Sequence, residues 1–307
     1  MDLGPIKGEL KSLIKGRVSF DVSMAKHTSL RVGGNADVLA FPRDEHDLRE
    51  IFRFARERAI PYYILGKGTN VIVRDGGLRG VVISLCRGFR RVTILGRRDR
   101  EVLISAEAGV SLKSLVRFTR ERSLSGLEAF IGIPGTVGGA LAMNAGAFGS
   151  EMRDVTRSIA LMGPAGDVTL KQEEELRFDY RHLILPEGSV ILRGIVEVVE
   201  AKGEEIAAKL KHLQRLRAQS QPWNVPTAGS IFRNPEGTPA GQLIDELGLK
   251  GYRIGDARIS EKHGNFIVNE GDATASEVLA LMAFIRDQVY EKRGIRLAPE
   301  VTIIGEG

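Results

Sequence analysis

Three observations predict an α+β protein built from two or three modules. At 307 residues the chain is too long for one small domain. Short β-type runs alternate with amphipathic helical stretches, without the strict strand–helix–strand period of a doubly wound sheet. The third is the passage AFIGIPGTVGGALAMNAGAFG, residues 129–149, which holds six glycines, a proline and almost nothing charged. It is too broken for a helix and too poor in large apolar residues for a core strand. Glycine costs conformational entropy on folding, so such a run marks tight turns or a ligand pressed against the main chain.

In chain order, Asp44 is placed to cap a helix whose apolar positions Leu48, Ile51, Phe52 and Ala55 recur at helical spacing. PYYIL (61–65) reads as a buried strand ending in the glycine turn GKGTN, and VVIS (81–84) and VLISAEA (102–108) read as further strands. The basic clusters RGFRR and GRRDR, between 87 and 100, read as a solvated hairpin face. Ser111 caps a second helix carrying Leu112, Leu115, Val116 and Thr119. SIALMG (158–163) and VILRGIVEVVE (190–200) are strand signals. The charged helix that follows, with Ile206, Leu210 and Leu213 on one face, is a linker stopped by Pro222. Beyond it come AGQLIDELGLKG, the strand NFIVN and a long helix from about Ser276. That helix has a Thr274-x-x-Glu277 capping box, a stripe of Val278, Leu281, Met282, Ile285 and Val289, and Gly294 as its stop. EVTII closes the chain as a strand.

The formal charge of +5 is mild and spread along the chain. Without a nucleic-acid motif it fits an anionic small-molecule substrate better than a polynucleotide. Cys86 is the only cysteine, which excludes an intrachain disulfide or zinc–cysteine cluster and favours a reducing compartment. The N-terminus has no apolar core of signal-peptide length, and no stretch approaches the ~20 apolar residues of a membrane span. These features predict a cytoplasmic protein that engages neither membrane nor nucleic acid.

LGKGTNVIV places Gly66 and Gly68 directly after a strand, but without the third glycine and following helix of a dinucleotide fingerprint. Read alone it is a hairpin turn or a backbone nest for a phosphate, with Thr69 and Asn70 adding side-chain donors. A second glycine-rich loop at 132–139 favours the nest: two such loops can approach the two sides of one pyrophosphate, which points to a flavin or other dinucleotide bound outside the Rossmann manner. RFDYRH puts Tyr180 and Arg181 together, either as solvated residues or as a carboxylate clamp. In PTAGSIFRNP, Ser230 follows an Ala-Gly pair that lets another group come close. No G-x-S-x-G elbow surrounds it, so a hydrolytic serine is disfavoured while a proton donor stays open. Lys262, His263 and Asn265 cluster before a strand. His263 has no partner at zinc spacing, so no metal is expected. Glu300 by itself carries almost no signal.

Together and in this order, HTSLRVGGNADV, LGKGTN, GIPGTVGGALAMNAGAFG, YR, AGSIFRNP, GLKG, KHGNFIVN and PEV resemble the UDP-N-acetylenolpyruvoylglucosamine reductase family over nearly the whole chain. The resemblance implies a vanillyl-alcohol-oxidase/PCMH-type FAD-binding fold in two subdomains (1–85 and 86–203) plus a C-terminal α+β substrate-binding domain (204–307). It implies FAD held by Gly66, Lys67, Gly68, Thr69 and Asn70 on one side, and by Gly132, Ile133, Pro134, Gly135, Thr136, Gly138, Gly139, Ala140 and Gly146 on the other. NADPH is the implied hydride donor. The implied acceptor is UDP-N-acetylglucosamine enolpyruvate, reduced at its vinyl C3 by hydride from the flavin N5. By the same resemblance Ser230 protonates C2, Arg181 and Glu300 stabilise the intermediate, and Tyr180, Arg233, Asn234, His263 and Asn265 lie on the substrate side. A monomer of the shorter class, lacking an extra tyrosine-bearing loop, is implied. Lys67 and Leu183 depart from the family pattern, Leu183 standing where a serine is usual.

Overall fold

The structure, a computed structural model, describes residues 4–307, so the first three residues of the expected first domain lie outside the described part. The described chain divides into two compact units: residues 4–20, 38–67 and 80–216 form one, and 21–37, 68–79 and 217–307 the other. Two short stretches inside the expected first domain thus group with the C-terminal residues. The physical reason is strand pairing: Val71–Val73 runs parallel to Thr302–Ile304. No helix among the described residues is long and apolar enough to cross a membrane.

The first unit is built on a six-stranded antiparallel sheet. Its order is Val168–Gln172, Thr156–Met162, Val190–Glu200, Glu101–Glu107 and Val92–Arg98, with Leu124–Ser125 also paired to Val190–Glu200. Residues 17–20, 38–41, 80–83 and 62–64 belong, in that order, to a four-stranded sheet. Helix Glu45–Glu57 is capped by Asp44, whose side chain accepts from the Asp47 N–H, and Leu112–Arg120 is capped by Ser111. Both bury their expected apolar faces. Their partners in one core include Phe52, Ile104, Leu115, Phe130, Leu141 and Val196. GRRDR (96–100) is exposed at the hairpin of the edge strand, as its charge requires, whereas RGFRR (87–91) precedes that strand and buries Phe89 in the core.

Two expectations need correction. PYYIL is not a buried strand: Tyr62–Ile64 lies at the sheet's edge, and Ile64 is 41% exposed. An apolar run signals burial only when both sheet neighbours exist. Residues 129–149 do contain a helix, Val137–Ala142, capped by the Thr136 hydroxyl on the Gly139 N–H. Tertiary packing of Val137 and Leu141 in the core overrides the low helix propensity of two glycines.

The second unit packs helices Ala240–Glu246 and Ala275–Arg293 with an antiparallel sheet ordered Thr227–Ser230, Phe266–Asn269, Ala257–Ile259 and Arg253–Ile254. Phe232, Ile244, Ile267, Leu281 and Ile285 lie in its core. The long helix has the expected Thr274/Glu277 capping box, and Gly294 ends it in a left-handed conformation, φ +69°. The linker helix Gly203–Ser220 begins two residues after the Val190–Glu200 strand, so that strand runs directly into it.

Candidate active site

In the first unit, a cleft of about 590 Å³, counting its open mouth, is lined by Gly66, Gly109, Gly138 and Gly139 together with Ile64, Leu65, Leu85, Cys86 and Ile191. The two glycine loops meet here. A Cβ on Gly66 would stand 2.9 Å from the Thr136 Oγ1, so only glycine lets the 62–66 strand end lie against the capping threonine. Likewise a Cβ on Gly138 would come 2.8 Å from that of Ala108. Gly132 and Gly135 take φ of +75° and +143°, and Ile133 and Pro134 bridge the turn between them. Ala140 is buried beneath.

The amides at the start of the 137–142 helix are engaged within the protein. Val137 N–H donates to the Val110 carbonyl, Gly138 N–H to that of Ala108, and Gly139 N–H to Thr136 Oγ1. The glycines at 138 and 139 therefore thin a wall. The lining joins bare backbone to aliphatic side chains, and no charged side chain among the described residues faces the cleft. Such a surface suits a flat heteroaromatic group better than a free anion. It fits part of an FAD, and it explains why the edge residue Ile64 is exposed.

Also in this unit, Tyr180 and Arg181 form the two-residue turn between Phe178–Asp179 and His182–Leu183. Arg181 adopts φ +54°, its guanidinium lies 5.0 Å from the Tyr180 ring centroid, and its Nη1 contacts Glu151 Oε1 at 3.3 Å. Leu183 pairs with Phe178 and is buried in the core, so the place of the usual serine serves packing here. Gly146 belongs to a short hairpin, pairing with Glu151. Lys67 is exposed at the end of the unit's glycine turn.

The second unit holds the other predicted residues. Gly68 (φ +61°) lies under the 27–29 segment, where a Cβ would meet the His27 carbonyl at 2.2 Å. The Ser29 N–H donates to the Gly68 carbonyl and its hydroxyl to the Thr227 carbonyl. Thr69 follows, half-buried. The Asn70 carboxamide, expected to face a phosphate, donates to the Glu300 carbonyl at 3.0 Å. Glu300 N–H in turn donates to the Ile231 carbonyl, beside Ser230. Asn70, Glu300 and the Ser230 strand are thus one hydrogen-bonded group, which the sequence reading had placed on different ligands.

Ser230 ends an edge strand whose register slips between Thr227 and Ser230. Gly229 sits in that irregularity at φ +80°, and nothing lies within 4 Å of where its Cβ would be. The positive φ calls for glycine at this bulge, and the open space beside it leaves room for another group to come close. Asn265 is 4% exposed; its carboxamide accepts from the Phe232 N–H (2.9 Å) and donates to the Phe232 carbonyl (2.8 Å). Asn234 Oδ1 accepts from the Ala240 N–H, while the side chain of Arg233 is exposed. His263 Nδ1 accepts from the Asn265 N–H, which leaves its proton on Nε2. Burial, aided by the Lys250 charge, holds its pKa below the usual histidine value and so keeps the ring neutral.

The fold and the cleft define an FAD-binding oxidoreductase of the vanillyl-alcohol-oxidase/PCMH type. An FAD binding domain model matches residues 36–170, and the model of the UDP-N-acetylenolpyruvoylglucosamine reductase C-terminal domain matches 221–304. The UDP-N-acetylenolpyruvoylglucosamine reductase of Syntrophus aciditrophicus is 46% identical over 98% of this chain and 96% of its own. That of Caldanaerobacter subterraneus is 42% identical over 97% of each. The crystal structure of the Thermus caldophilus enzyme superposes with a TM-score of 0.81 at 38% identity, covering 94% of this chain and 99% of that one. A 4-ethylphenol oxidase from Gulosibacter chungangensis, at 16% identity and TM-score 0.50 over 97% of this chain and 65% of its own, shares the fold alone. The chain belongs to the UDP-N-acetylenolpyruvoylglucosamine reductase family.

Proposed function

We propose that Arg181, Glu300 and Ser230 carry the family's reaction in this chain, with NADPH as reductant. The reaction reduces UDP-N-acetylglucosamine enolpyruvate to UDP-N-acetylmuramate, a step of peptidoglycan precursor synthesis. The Gly66–Gly68 turn and residues 132–139 would hold FAD, which would supply the hydride chemistry between NADPH and the vinyl C3 of the enolpyruvyl ether.

Negative charge then develops at C2 and spreads into the neighbouring carboxylate. Arg181 binds that growing charge, an interaction strongest in the transition state and therefore catalytic. Glu300, in its protonated form, donates a hydrogen bond to the enolate at the same place. Ser230 gives its hydroxyl proton to C2 and regains one from solvent. A serine is a weak acid in water, but a carbanion-like enolate is basic enough to take its proton. Tyr180, Arg233, Asn234 and His263 face the substrate, and Asn265 serves it through Phe232. The enzyme works as a cytoplasmic monomer.

The observation that supports this most is the bulge at Gly229, which turns Ser230 out of a regular edge strand beside the Glu300 backbone. The test is Ser230→Ala in anaerobic half-reactions. Flavin reduction by NADPH should persist, while reoxidation by the enolpyruvyl sugar nucleotide slows by about 10²-fold or more, the lower scale for a general acid. Wild-type turnover in that variant would remove Ser230 from the mechanism.

A further inference from the structure

Arg181 must point one way to clamp a carboxylate, yet its own backbone is unfavourable. A non-glycine residue at φ +54° is strained, so the surroundings must impose the conformation. Two tethers to this turn come from the end of the glycine-rich segment and the residues just after it.

Asn144 is the first. It is fully buried, 0% exposed, and all of its carboxamide is used: Nδ2 donates to the Asp179 carbonyl (3.1 Å) and to Glu151 Oε2 (2.9 Å), while Oδ1 accepts from the Arg153 N–H (3.1 Å). The bond to Asp179 fixes the backbone just before Tyr180 and Arg181. Asn144 itself sits at φ +39°, a region asparagine enters more readily than most residues.

Glu151 is the second. Its Oε1 accepts from Arg181 Nη1 (3.3 Å), and its Oε2 pairs with Arg153 Nε (3.0 Å) besides Asn144. The short hairpin Gly146–Ala147 and Ser150–Glu151 doubles the chain back to place it there. Phe148 and Gly149 make the turn at φ +53° and +81°, and a Cβ on Gly146 would meet the Ser150 carbonyl at 2.6 Å. A guanidinium holds five donors in one rigid plane, so fixing one edge fixes the direction of all of them.

We infer that Glu151, held by Asn144, is a positioning residue that aims the Arg181 guanidinium at the substrate carboxylate. The inference rests on the proposed role of Arg181 and extends the function of the glycine segment beyond the cofactor. Neither Glu151 nor Asn144 touches the reacting atoms in this scheme. Their effect belongs to the step in which Arg181 acts, the oxidative half-reaction, and leaves reduction of the flavin alone.

The test is a double-mutant cycle of Glu151→Gln and Arg181→Ala, read in anaerobic half-reactions with NADPH and with the enolpyruvyl sugar nucleotide. Glu151→Gln should slow flavin reoxidation about tenfold, as a charge-assisted bond becomes a neutral one, with flavin reduction unchanged. In the Arg181→Ala background the same change should do nothing further. Equal slowing in both backgrounds would mean a merely structural role and overturn the inference. Normal reoxidation in Glu151→Gln, with Arg181→Ala slow, would overturn it while leaving the Arg181 clamp intact. A normal Arg181→Ala would remove the clamp and the inference with it. If Glu151→Gln does not retain flavin, Glu151→Asp, which keeps the charge but withdraws it by one methylene, makes the same comparison.

Discussion

Truncating Asn265 separates a substrate contact from a structural brace. In Asn265→Ala the Phe232 N–H and carbonyl both lose their side-chain partner, in a position where Phe232 is 0% exposed and the asparagine 4%. The Ile231 N–H keeps its bond to the Asn265 main-chain carbonyl, so strand pairing beside it survives. One stranded donor and one stranded acceptor, at ~1–3 kcal/mol each, give a loss of roughly 2–6 kcal/mol. Set against a typical total of ~5–15 kcal/mol, that is a large share of the stability.

Urea denaturation followed by circular dichroism reads the loss as a lowered midpoint. Because Ser230 lies two residues before Phe232, the oxidative half-reaction should slow as well, while flavin content stays near wild type. Asn265→Asp keeps an acceptor for the Phe232 N–H but sets a buried carboxylate oxygen against its carbonyl, so its midpoint should fall at least as far. The brace is refuted if Asn265→Ala unfolds with the wild-type midpoint and only its KM for the sugar nucleotide rises. That pattern would belong to a residue touching substrate directly.

Two further outcomes are expected. Gly138→Ala forces a methyl to within 2.8 Å of the Ala108 Cβ, so the wall of the cleft must shift and the purified protein should carry less FAD by its visible absorbance; full occupancy would show the wall to be compliant. His263 is held neutral by burial and the Lys250 charge, while the unfolded chain protonates near the ordinary value of 6.5. Its contribution to stability is thus complete above that pH and is lost as pH falls through the lower folded value. His263→Gln should flatten the dependence of the denaturation midpoint on pH below 6.5, and an unchanged slope would assign it to other groups.

What the sequence disclosed was decided locally. Asp44, Ser111 and Thr274 each cap a helix with a side chain that reaches three residues ahead, and each could be read from a short window. The stripes of Leu48 to Ala55 and Val278 to Val289 are equally local, and all are buried. What it hid depends on distant partners. Nothing near Gly68 announces the His27 carbonyl that forbids it a side chain, and nothing near Asn70 announces Glu300, 230 residues away. Tyr62–Ile64 has the composition of a core strand, but whether a strand is central or at an edge depends on what pairs beside it. The candidate site divided in the same manner. Motif order nominated Ser230, Arg181 and Glu300, whereas the contacts of Asn144 and Glu151 with the Arg181 turn, and the bond from Asn70 to Glu300, are legible only in the structure.

The glycine-rich segment shows why residue type alone understated its work. Its six glycines meet three separate demands. Gly132 and Gly135 take backbone angles closed to side chains, Gly138 and Gly139 thin the wall of the cleft, and Gly146 and Gly149 fold a hairpin that brings Glu151 to Arg181. Of these, the middle pair lines the cleft. On the proposed role of Arg181 and the inferred one of Glu151, bare backbone in this stretch serves two functions joined end to end, a cofactor wall followed by a brace for the arginine. The junction between them is Asn144, whose buried carboxamide reaches both the Arg153 main chain and the turn that carries Arg181. Substitutions before this point should register in flavin occupancy, and substitutions after it in the rate of the oxidative half-reaction. A single ligand-binding loop would not divide in that way.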